Sequence, residues 1–409
     1  MSESPRSVLV VGGGIAGVST VSGLRRHGFE GEIVLVDPDK LPYDRPPLSK
    51  EYLAGGRDLD GIALQAAQWY VDQDVTLVGE VTVTSVHPDE HEVVLSDGRV
   101  LTPDRVVLAT GGRAARPTIP GVESPRVHVL RERADADRLR EDLRPGARLL
   151  VVGAGLIGAE VASTANDLGC QVTLVDPVAV PLERAVGHDL ALWLHEMHAR
   201  RGIETVQTTV ESMRDEPYGT VLVQLVGEGE PRRADAVLLG VGMVPDTALA
   251  EAAGLETDGG VLTDAGQVTS HPFVLAVGDV ARRRQEDGSP APREEHWEAA
   301  TRSADRAVAT ILGLPAPSEG APWFWSDRHG HHVECIGLME HADEVVLRGS
   351  LDEVPLSVYG LREGRVVAVA SVDDATASKA GRRLVDRGVS VSADQLADTS
   401  TDLRRLLRG

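Results

Sequence analysis

The sequence contains only two cysteines, Cys170 and Cys335, which lie far apart and form no C-x-x-C pair. It therefore indicates neither a disulfide framework nor a dithiol redox centre. Such cysteine usage is typical of a reducing compartment, and we expect the protein in the cytoplasm. The opening residues 1–7 are short and polar, and no apolar run approaches the roughly 18 residues of a membrane span, so we expect no membrane segment.

The chain also lacks an excess of positive charge. Its 41 basic residues are outnumbered by 63 acidic residues, which gives a net charge of −22. This balance argues against general binding to nucleic acid or anionic lipid, so an acidic partner would have to meet a local basic patch. At 409 residues the chain exceeds one ordinary domain, and we expect two or three domains with ample cores.

A glycine-rich turn near the N-terminus has the features of a phosphate cradle. The apolar run 8–11 predicts a buried strand, and a helix follows the turn toward His27. The next strand, 32–36, ends in an acid that suits a ribose hydroxyl. A packing turn without ligand would explain the glycines alone, but the complete strand, turn, helix, strand and acid unit favours a dinucleotide. The candidate residues are Gly12, Gly14, Ile15, Ala16, Gly17 and Asp37.

The same unit occurs a second time. Strand 148–152 leads into a second glycine turn, a helix follows to about Leu168, and strand 171–175 ends in Asp176. Asp176 can bond the 2′-hydroxyl of NAD and would repel the 2′-phosphate of NADP, so we expect NADH, although Arg184 nearby could accommodate a phosphate. Two dinucleotide sites suggest electrons passing between two cofactors. The loop residues are Gly153, Gly155, Leu156, Ile157 and Gly158.

The proline-rich segment 41–53 separates these units. Its prolines predict irregular structure until a short helix begins near Ser49. One interpretation is a rigid surface loop whose arginine and lysine side chains are solvated. The other places Arg45 near a cofactor phosphate and Lys50 near a flavin ring, where a cation would stabilise negative charge.

The order of these segments resembles the oxygenase-coupled NADH-dependent ferredoxin reductases. The resemblance rests on the two loops, Pro-Tyr-Asp-Arg-Pro-Pro-Leu-Ser-Lys-Glu-Tyr-Leu at 42–53, Ala-Thr-Gly-Gly-Arg at 109–113 and Ala-Val-Gly-Asp-Val-Ala at 276–281. It implies an α/β fold with two Rossmann-like dinucleotide-binding domains of the glutathione reductase type and a C-terminal α+β domain. It also implies FAD and NADH as cofactors and an iron–sulfur ferredoxin partner that supplies a monooxygenase or dioxygenase.

The expected domains are an FAD-binding part at 1–112, an NAD-binding domain at 113–240, a second FAD-binding part at 241–320 and the C-terminal domain at 321–409. Alternating residues at 81–86 and 91–95, followed by a turn at 96–98, predict a β-meander inserted into the first domain. Strands through Val372 and helices near 375–387 and 402–407 are expected in the last domain.

The resemblance also implies site residues beyond the loops. It places Val83 near the flavin adenine, Glu160 beside the nicotinamide, and a segment containing Gly242 over the nicotinamide nucleotide. Simpler interpretations remain for these residues, such as strand packing for Val83 and compensation of the helix dipole by Glu160. The further cofactor-binding candidates are Ala109, Thr110, Gly111, Arg131, Gly278, Asp279 and Trp297, and the catalytic candidates are Lys50, Glu160, Trp297 and Trp325.

Two regions depart from the family pattern. Relatives often carry Asn and Gln where this chain has Ala299 and Ser303, and an Arg where it has Asp305. After the shared Phe-Trp-Ser-Asp at 324–327, relatives usually continue Gln-Tyr, whereas this chain has Arg-His. These departures leave the identity of the ferredoxin open. Our candidates for docking an acidic ferredoxin, against a merely solvated face, are Arg302, Arg306 and Arg282–Arg284.

Two groups of histidines are candidate metal-binding sites, but their spacing does not favour that interpretation. His195 and His198 lack the i, i+4 spacing of a zinc-protease helix. His329, His331 and His332 precede Cys335, but strand alternation would put His329 and His331 on one face and His332 on the other. We therefore expect a structural strand and no metal site.

The expected reaction passes hydride from C4 of NADH to N5 of the flavin, and electrons then leave singly to the ferredoxin. A flavin NADH oxidase, peroxidase or disulfide reductase usually needs a cysteine beside the flavin, and residues 37–53 contain none. A third possibility is an NADH-sensing flavoprotein, as resemblance to apoptosis-inducing factors would allow. The rate of turnover distinguishes the two, because an enzyme should reduce ferredoxin rapidly, whereas a sensor would bleach slowly and persist.

Overall fold

The computed structural model describes residues 5–217 and 219–407. Residues 1–4 of the polar opening, Tyr218 and the last two residues of the chain lie outside the described residues. The chain forms two compact units, each assembled from three segments. The first contains the chain up to Arg45, Arg57–Arg113 and Met243–Glu319. The second contains Pro46–Gly56, Ala114–Gly242 and the chain from Gly320 onward.

The N-terminal part of the chain begins with the predicted strand, helix and strand. Its strands are β1 (Ser7–Val11), β2 (Glu32–Val36), β3 (Val75–Val78), β4 (Val83–His87), β5 (Glu92–Leu95), β6 (Val100–Leu101), β7 (Arg105–Leu108) and β8 (Gly112–Ala114). Its helices are α1 (Ile15–Arg26) and α2 (Ala67–Asp72), with short 3-10 turns at Pro46–Ser49 and Asp60–Ile62. Strands β4, β5 and β6 pair antiparallel, which confirms the predicted meander.

The following part, up to Gly242, contains the second predicted unit. Its strands are β9 (Val127–Val129), β10 (Arg148–Val152), β11 (Gln171–Asp176), β12 (Glu204–Gln207), β13 (Val210–Glu216), β14 (Thr220–Leu225), β15 (Arg232–Ala234) and β16 (Ala236–Leu239). Its helices are α3 (Arg133–Asp142), α4 (Leu156–Asp167), α5 (Glu183–Val186) and α6 (His188–Arg200). Strands β12, β11, β10, β16 and β9 form a parallel sheet in that order.

The next part returns to the first unit. It contains β17 (Met243–Pro245), α7 (Ala248–Ala252), β18 (Val261–Thr263), β19 (Val274–Ala276), a 3-10 turn at Gly278–Val280, β20 (Ala281–Arg283) and α8 (Trp297–Leu312). Strand β19 completes a parallel sheet with the order β19, β7, β1, β2, β3. Both faces of this sheet are covered, as a parallel sheet requires. Val8 and Val10 pack toward α1 and α8, whereas Leu9 and Val11 pack toward the meander and α7.

The C-terminal part is an antiparallel sheet with helices. It contains β21 (Trp323–Arg328), β22 (His331–Ile336), a 3-10 turn at Met339–His341, β23 (Glu344–Ser350), β24 (Glu353–Arg362), β25 (Arg365–Val372), α9 (Ala375–Asp386), α10 (Ala393–Ala397) and α11 (Leu403–Leu406). Phe324 and Cys335 pack on one face with α5 and α6, and Ile336 and Tyr359 pack on the other with α9, α10 and α11. Two parallel dinucleotide-type sheets and an α+β C-terminal part confirm the predicted fold class.

Two local predictions were wrong. The helical turn in the proline-rich segment begins at Pro46 and ends at Ser49, instead of beginning near Ser49. Prolines are compatible with a first helical turn because its backbone N–H groups need no partner within the helix. The expected strand through His329 is a hairpin, in which His329 adopts a φ of 53° and β22 begins only at His331.

Candidate functional site

The first glycine turn has the geometry of a tight phosphate loop. Gly12 has a φ of 106°, and a Cβ atom there would lie 2.4 Å from the carbonyl oxygen of Ala109. A Cβ atom at Gly17 would lie 1.9 Å from the carbonyl oxygen of Gly12, so only glycine lets α1 approach the strand so closely. Gly14 is the N-cap of α1, with Ile15 and Ala16 in its first turn and no acidic residue there. The helix therefore presents N–H donors and partial positive charge to an anion.

Asp37, at the end of β2, is bonded to this loop. Its carboxylate accepts hydrogen bonds from the backbone N–H groups of Gly13 and Asp39. Burial raises its pKa, and this effect outweighs the two backbone hydrogen bonds, which lower it. Each carboxylate oxygen keeps acceptor capacity for a ribose hydroxyl.

Arg45 supplies positive charge at the same loop. A Cβ atom at Gly14 would lie 2.7 Å from its Nη1, and its buried Nε has no hydrogen-bond partner among the described residues. A buried guanidinium donor without a partner is costly unless a ligand satisfies it. The glycine turn, Asp37 and Arg45 together fit the pyrophosphate and ribose of a dinucleotide such as FAD.

Other expected flavin-binding residues of the first unit lie on connected turns. Thr110 donates a hydrogen bond to the carbonyl of Asp246, and Gly111 accepts one from the N–H of Asp246. Gly278 donates its N–H to Ser303 Oγ at 2.8 Å. Ser303 therefore holds the turn that contains Asp279.

Trp297 begins α8 and donates its indole N–H to Asp44 Oδ1 at 3.1 Å. This contact joins the helix start to the residue before Arg45. Val83 is a partly buried residue of β4, paired with Leu95, and Ala109 is buried directly after β7. Contact of Val83 with the cofactor stays a prediction.

The second glycine turn repeats the geometry of the first. A Cβ atom at Gly153 would lie 2.4 Å from the carbonyl oxygen of Gly240, and one at Gly158 would lie 1.9 Å from that of Gly153. A Cβ atom at Gly155 would meet nothing within 4 Å, so this glycine leaves open space at the start of α4. Leu156 and Ile157 form the first turn of α4, and Ile157 is exposed.

Asp176 is the counterpart of Asp37. Its Oδ2 accepts a hydrogen bond from the N–H of Ala154 at 2.6 Å, and its Oδ1 accepts one from Val178 at 2.7 Å. Arg184, the residue that could accommodate a 2′-phosphate, donates to Glu340 at 2.6 Å and is exposed. The second loop therefore fits the adenosine end of NAD.

Glu160, on α4, is the centre of a buried hydrogen-bond network in the second unit. Its Oε2 accepts from Ser49 Oγ at 2.5 Å, and its Oε1 accepts from Ser326 Oγ at 2.8 Å and from the N–H of Asp327 at 3.2 Å. The carboxylate thus joins the proline-rich segment, α4 and β21. This role goes beyond the helix-dipole interpretation, because the donors come from segments distant in the sequence.

Lys50 lies between two carboxylates. Its Nζ is 2.6 Å from Asp327 Oδ2 and 3.5 Å from Glu160 Oε1. The ammonium group is also 5.6 Å from the ring centroid of Trp325, within the range of a cation–π contact. Three of the four predicted catalytic residues, Lys50, Glu160 and Trp325, are therefore brought together in the second unit.

Asp327 continues this network toward His332. Its Oδ1 lies 2.5 Å from His332 Nδ1, and His332 Nε2 lies 3.5 Å from Glu334 Oε1. Burial raises the pKa of Asp327, but hydrogen bonds from Lys50 and His332 outweigh that effect and leave the pKa below its ordinary value. Sequence reasoning missed Asp327 and His332 as site residues.

The segment that carries Lys50 is held by helices of the second unit. Thr164 on α4 donates to the carbonyl of Ser49, and Arg140 on α3 donates to the carbonyls of Tyr52 and Leu53. Tyr52 donates its hydroxyl to Asp137, also on α3. No local signal identified these anchors, because α3 and α4 follow the segment by more than 80 residues.

The remaining candidates of the second unit lie at loop positions. Arg131 donates its backbone N–H to Asp135, which closes the start of α3. Gly242 has a φ of 106° and accepts a hydrogen bond from the N–H of Ala115. Trp325 stacks on Trp323 with ring centroids 5.0 Å apart, and Trp323 donates to Glu334 at 3.0 Å.

The two histidine groups meet in the folded chain. His329 Nε2 lies 2.9 Å from His198 Nδ1 in a buried contact between the hairpin turn and α6. Burial lowers the pKa of His198 to about 2 and that of His329 to about 4. Within residues 5–217 and 219–407, no group of three or more His, Cys, Asp or Glu side chains is arranged to hold a metal ion.

The arginines considered for docking are paired with acidic side chains. Arg283 and Arg306 both bind Glu319, at 2.7 and 2.5 Å, and Arg284 binds Glu256. Arg302 and Arg306 are largely buried, whereas Glu319 is exposed, so carboxylates cover part of the positive charge. Docking at these arginines stays a prediction.

Both cysteines are free and buried. Burial raises the pKa of each thiol, so both hold their protons at neutral pH. In the part of the chain that the structure describes, no helix is long and apolar enough to cross a membrane.

Comparisons with known proteins identify the families to which the chain is similar. Residues 6–304 match the pyridine nucleotide-disulphide oxidoreductase family, and residues 323–407 match the reductase C-terminal domain. The chain is 36% identical to putidaredoxin reductase of Pseudomonas putida, over 98% of this chain and 96% of that protein. It is 35% identical to the ferredoxin–NAD(+) reductase subunit of a benzene 1,2-dioxygenase system of Pseudomonas putida, over 98% and 97% of the two chains.

A solved structure is similar over the whole length. The reductase in a covalent putidaredoxin reductase–putidaredoxin complex has a TM-score of 0.90 and 34% identity, covering 98% of each chain.

Proposed function

Because this chain belongs to the pyridine nucleotide-disulphide oxidoreductase family, we propose that it is an NADH-dependent ferredoxin reductase. It transfers electrons from NADH through FAD to an iron–sulfur ferredoxin that supplies a monooxygenase or dioxygenase. The observation that carries the proposal is the duplicated glycine loop, each copy bonded to the acid at the end of the next strand. The names of the relatives and of the putidaredoxin complex support the ferredoxin as partner.

The two loops divide the cofactors between them. Gly12, Gly14, Gly17, Asp37 and Arg45 hold the diphosphate and ribose of FAD, as the unsatisfied Arg45 Nε supports. When bound, FAD accepts a hydride and releases electrons one at a time. The other proposed flavin contacts are Ile15, Ala16, Val83, Ala109, Thr110, Gly111, Arg131, Gly278, Asp279 and Trp297.

The second loop binds NADH. Gly155 leaves space for the backbone to approach a pyrophosphate, and Gly153 and Gly158 close the turn. Asp176 bonds the ribose hydroxyls and disfavours a 2′-phosphate. Leu156, Ile157 and Gly242 are the further proposed contacts of the nicotinamide nucleotide.

Lys50, Glu160 and Trp325 orient the reacting groups. Ser49 and Ser326 fix both oxygens of Glu160, so its carboxylate cannot turn away from Lys50. The Lys50 ammonium is thereby held at one place, where it stabilises negative charge beside it. Hydride transfer requires alignment more than an acid or base, which suits a site that is rigid.

The cysteines favour this function over the sulfur-based alternatives. A disulfide reductase or peroxidase needs a reactive thiolate, and the raised thiol pKa values of buried Cys170 and Cys335 oppose one. An NADH-sensing flavoprotein has the same fold, and turnover separates it from a reductase. The free cysteines also support our proposal of a cytoplasmic location.

The test is an anaerobic titration of the purified protein with NADH and with NADPH, followed by cytochrome c reduction with and without candidate ferredoxins. We expect a yellow protein that NADH bleaches stoichiometrically and that reduces cytochrome c rapidly only when a ferredoxin is present. A colourless protein, or one that bleaches slowly and passes no electrons on, would contradict the proposal.

A further inference from the structure

The proposed reaction leaves one proton behind for each NADH. The hydride of NADH is one proton and two electrons, and two one-electron iron–sulfur carriers remove only the electrons. One proton must therefore leave the flavin site in every turnover. This inference rests on the proposed function, in which the Lys50 ammonium stabilises negative charge that develops during the reaction.

Lys50 offers two carboxylates to which a proton can pass, and they differ in their access to water. The Lys50 side chain is only 12% exposed, and its Nζ contacts Glu160 and Asp327. The Glu160 side chain is 7% exposed, and Ser49 and Ser326, whose hydroxyl groups donate to its carboxylate, are buried. A proton given to Glu160 has no outlet to solvent through those partners.

Asp327, in contrast, leads outward. Its side chain is 41% exposed, and its second oxygen lies 2.5 Å from Nδ1 of His332, which is 48% exposed. The lowered pKa of Asp327 makes it a poor resting place for a proton, so the proton needs an onward acceptor at the second oxygen of Asp327. Glu334 Oε1 lies 3.5 Å from the outer nitrogen of His332, Nε2.

We propose that Asp327 and His332 form the route by which the proton derived from NADH leaves the site. One proton enters at Lys50 Nζ as another passes from Nζ to Asp327 Oδ2. The Asp327 carboxyl group rotates and delivers this proton to the lone pair of His332 Nδ1 while the ring carries its own proton on Nε2. His332 then releases the Nε2 proton to water, and a turn of the ring restores the starting tautomer. Only N–H and O–H bonds form and break, and the three side chains return to their original charges.

The experiment follows electrons and protons separately. The holoprotein is reduced anaerobically with one equivalent of NADH and mixed with ferricyanide, which accepts electrons but no protons, in weakly buffered solution containing a pH-indicator dye. In the wild type, the transfer of electrons to ferricyanide and the release of protons to the dye should follow the same time course. In His332→Asn and Asp327→Asn the proton trace should be slowed by about tenfold or more, and added imidazole should restore it in His332→Asn.

The chain contains a matched control on the same strand. His331 forms a similar hydrogen bond, with Nδ1 2.7 Å from Asp373 Oδ2, and among the described residues no hydrogen bond or ion pair joins its side chain to Asp327. His331→Asn should therefore release the proton like the wild type. Normal flavin spectra and thermal unfolding midpoints would show that each variant is folded. If Asp327→Asn does not fold, His332→Asn still tests the proposal, because its new side chain can form a hydrogen bond with Asp327.

A second measurement needs no turnover. In the oxidised protein, the NMR signals of the His332 ring should shift in Lys50→Gln while those of His331 stay unchanged, since Lys50 and His332 share Asp327. Coincident electron and proton traces in His332→Asn, or no rescue by imidazole, would overturn the proposal. If NADH does not reduce the wild type at all, the proposed function fails instead, which keeps the two failures distinct.

Discussion

Asp176 Oδ2 accepts a hydrogen bond from the backbone N–H of Ala154, 2.6 Å away, so the acid that ends β11 is fixed to the glycine loop. Its charge therefore lies where the adenosine ribose of a bound dinucleotide is expected. Replacing Asp176→Asn keeps an acceptor for Ala154 but removes the charge. We expect kcat/KM for NADPH to rise by about tenfold and that for NADH to fall, measured by steady-state kinetics with both cofactors. An unchanged cofactor ratio would contradict the role of Asp176.

Alanine substitutions at two glycines of the second loop should have different effects, one on NADH affinity and the other on thermal stability. A Cβ atom at Gly155 meets no protein atom within 4 Å, so Gly155→Ala should keep its thermal stability and its flavin but bind NADH about tenfold more weakly. A Cβ atom at Gly158 would overlap the carbonyl of Gly153, so Gly158→Ala should lower the unfolding midpoint itself. Thermal unfolding and NADH titration distinguish the two effects. Equal stability of both variants would show that α4 can move away from β10.

The buried Glu160 carboxylate should contribute to stability as well as to catalysis. Glu160→Gln removes the negative charge beside Lys50 and places an amide donor against Ser49 or Ser326. We expect a loss of about 2–4 kcal/mol in the free energy of unfolding, measured by urea denaturation. The control is Glu340→Gln, which breaks the exposed ion pair with Arg184 and should cost less than about 1 kcal/mol.

The His198–His329 pair should make the protein sensitive to acid. The folded pKa values, about 2 and about 4, lie below the ordinary 6.5, so the unfolded chain binds more protons than the folded chain below that pH. Stability is therefore complete above about pH 6.5 and is lost as the pH falls toward 4. Thermal unfolding between pH 8 and pH 4 should show this slope, and His198→Asn should reduce it. If His198→Asn and His331→Asn show the same dependence of stability on pH, groups other than the His198–His329 pair cause the sensitivity to acid.

Glu319 should compete with an acidic ferredoxin for Arg283 and Arg306. Arg306→Gln should raise the KM for the ferredoxin by a few-fold, and Glu319→Gln should lower it, while the rate of flavin reduction by NADH stays unchanged in both. The measurement is ferredoxin-dependent cytochrome c reduction at low and at physiological ionic strength, because the differences should shrink with salt. A KM that is unchanged in both variants would place the docking surface elsewhere.

The elements around both glycine loops were predictable because their signals are local. Apolar runs and glycine spacing within about 30 residues are sufficient for β1, α1 and β2, and for their counterparts β10, α4 and β11. The hairpin at His329 was not predictable, because the alternating pattern continues through a turn that the positive φ angles of His329 and Gly330 create. An alternating pattern of side chains does not reveal a reversal of chain direction that takes only two residues.

The candidate site was predictable only in its individual residues. The family resemblance supplied Lys50, Glu160 and Trp325, but Lys50 and Asp327 are 277 positions apart, and nothing local predicts their ion pair. Likewise, the four-residue spacing of Arg302 and Arg306 indicated a shared helical face, but not that Glu319 binds Arg306. Such partners depend on where distant segments meet in the folded chain.

The division of each compact unit into three segments has a consequence for how the protein is made. As the polypeptide leaves the ribosome, the first parallel sheet lacks β19 until residues 274–276 have been synthesised, and the second unit waits for the segment that begins at Gly320. No single cut in the chain releases either unit whole. Truncated expression should therefore yield aggregation-prone fragments, and the protein must complete its folding after nearly all of it has been translated.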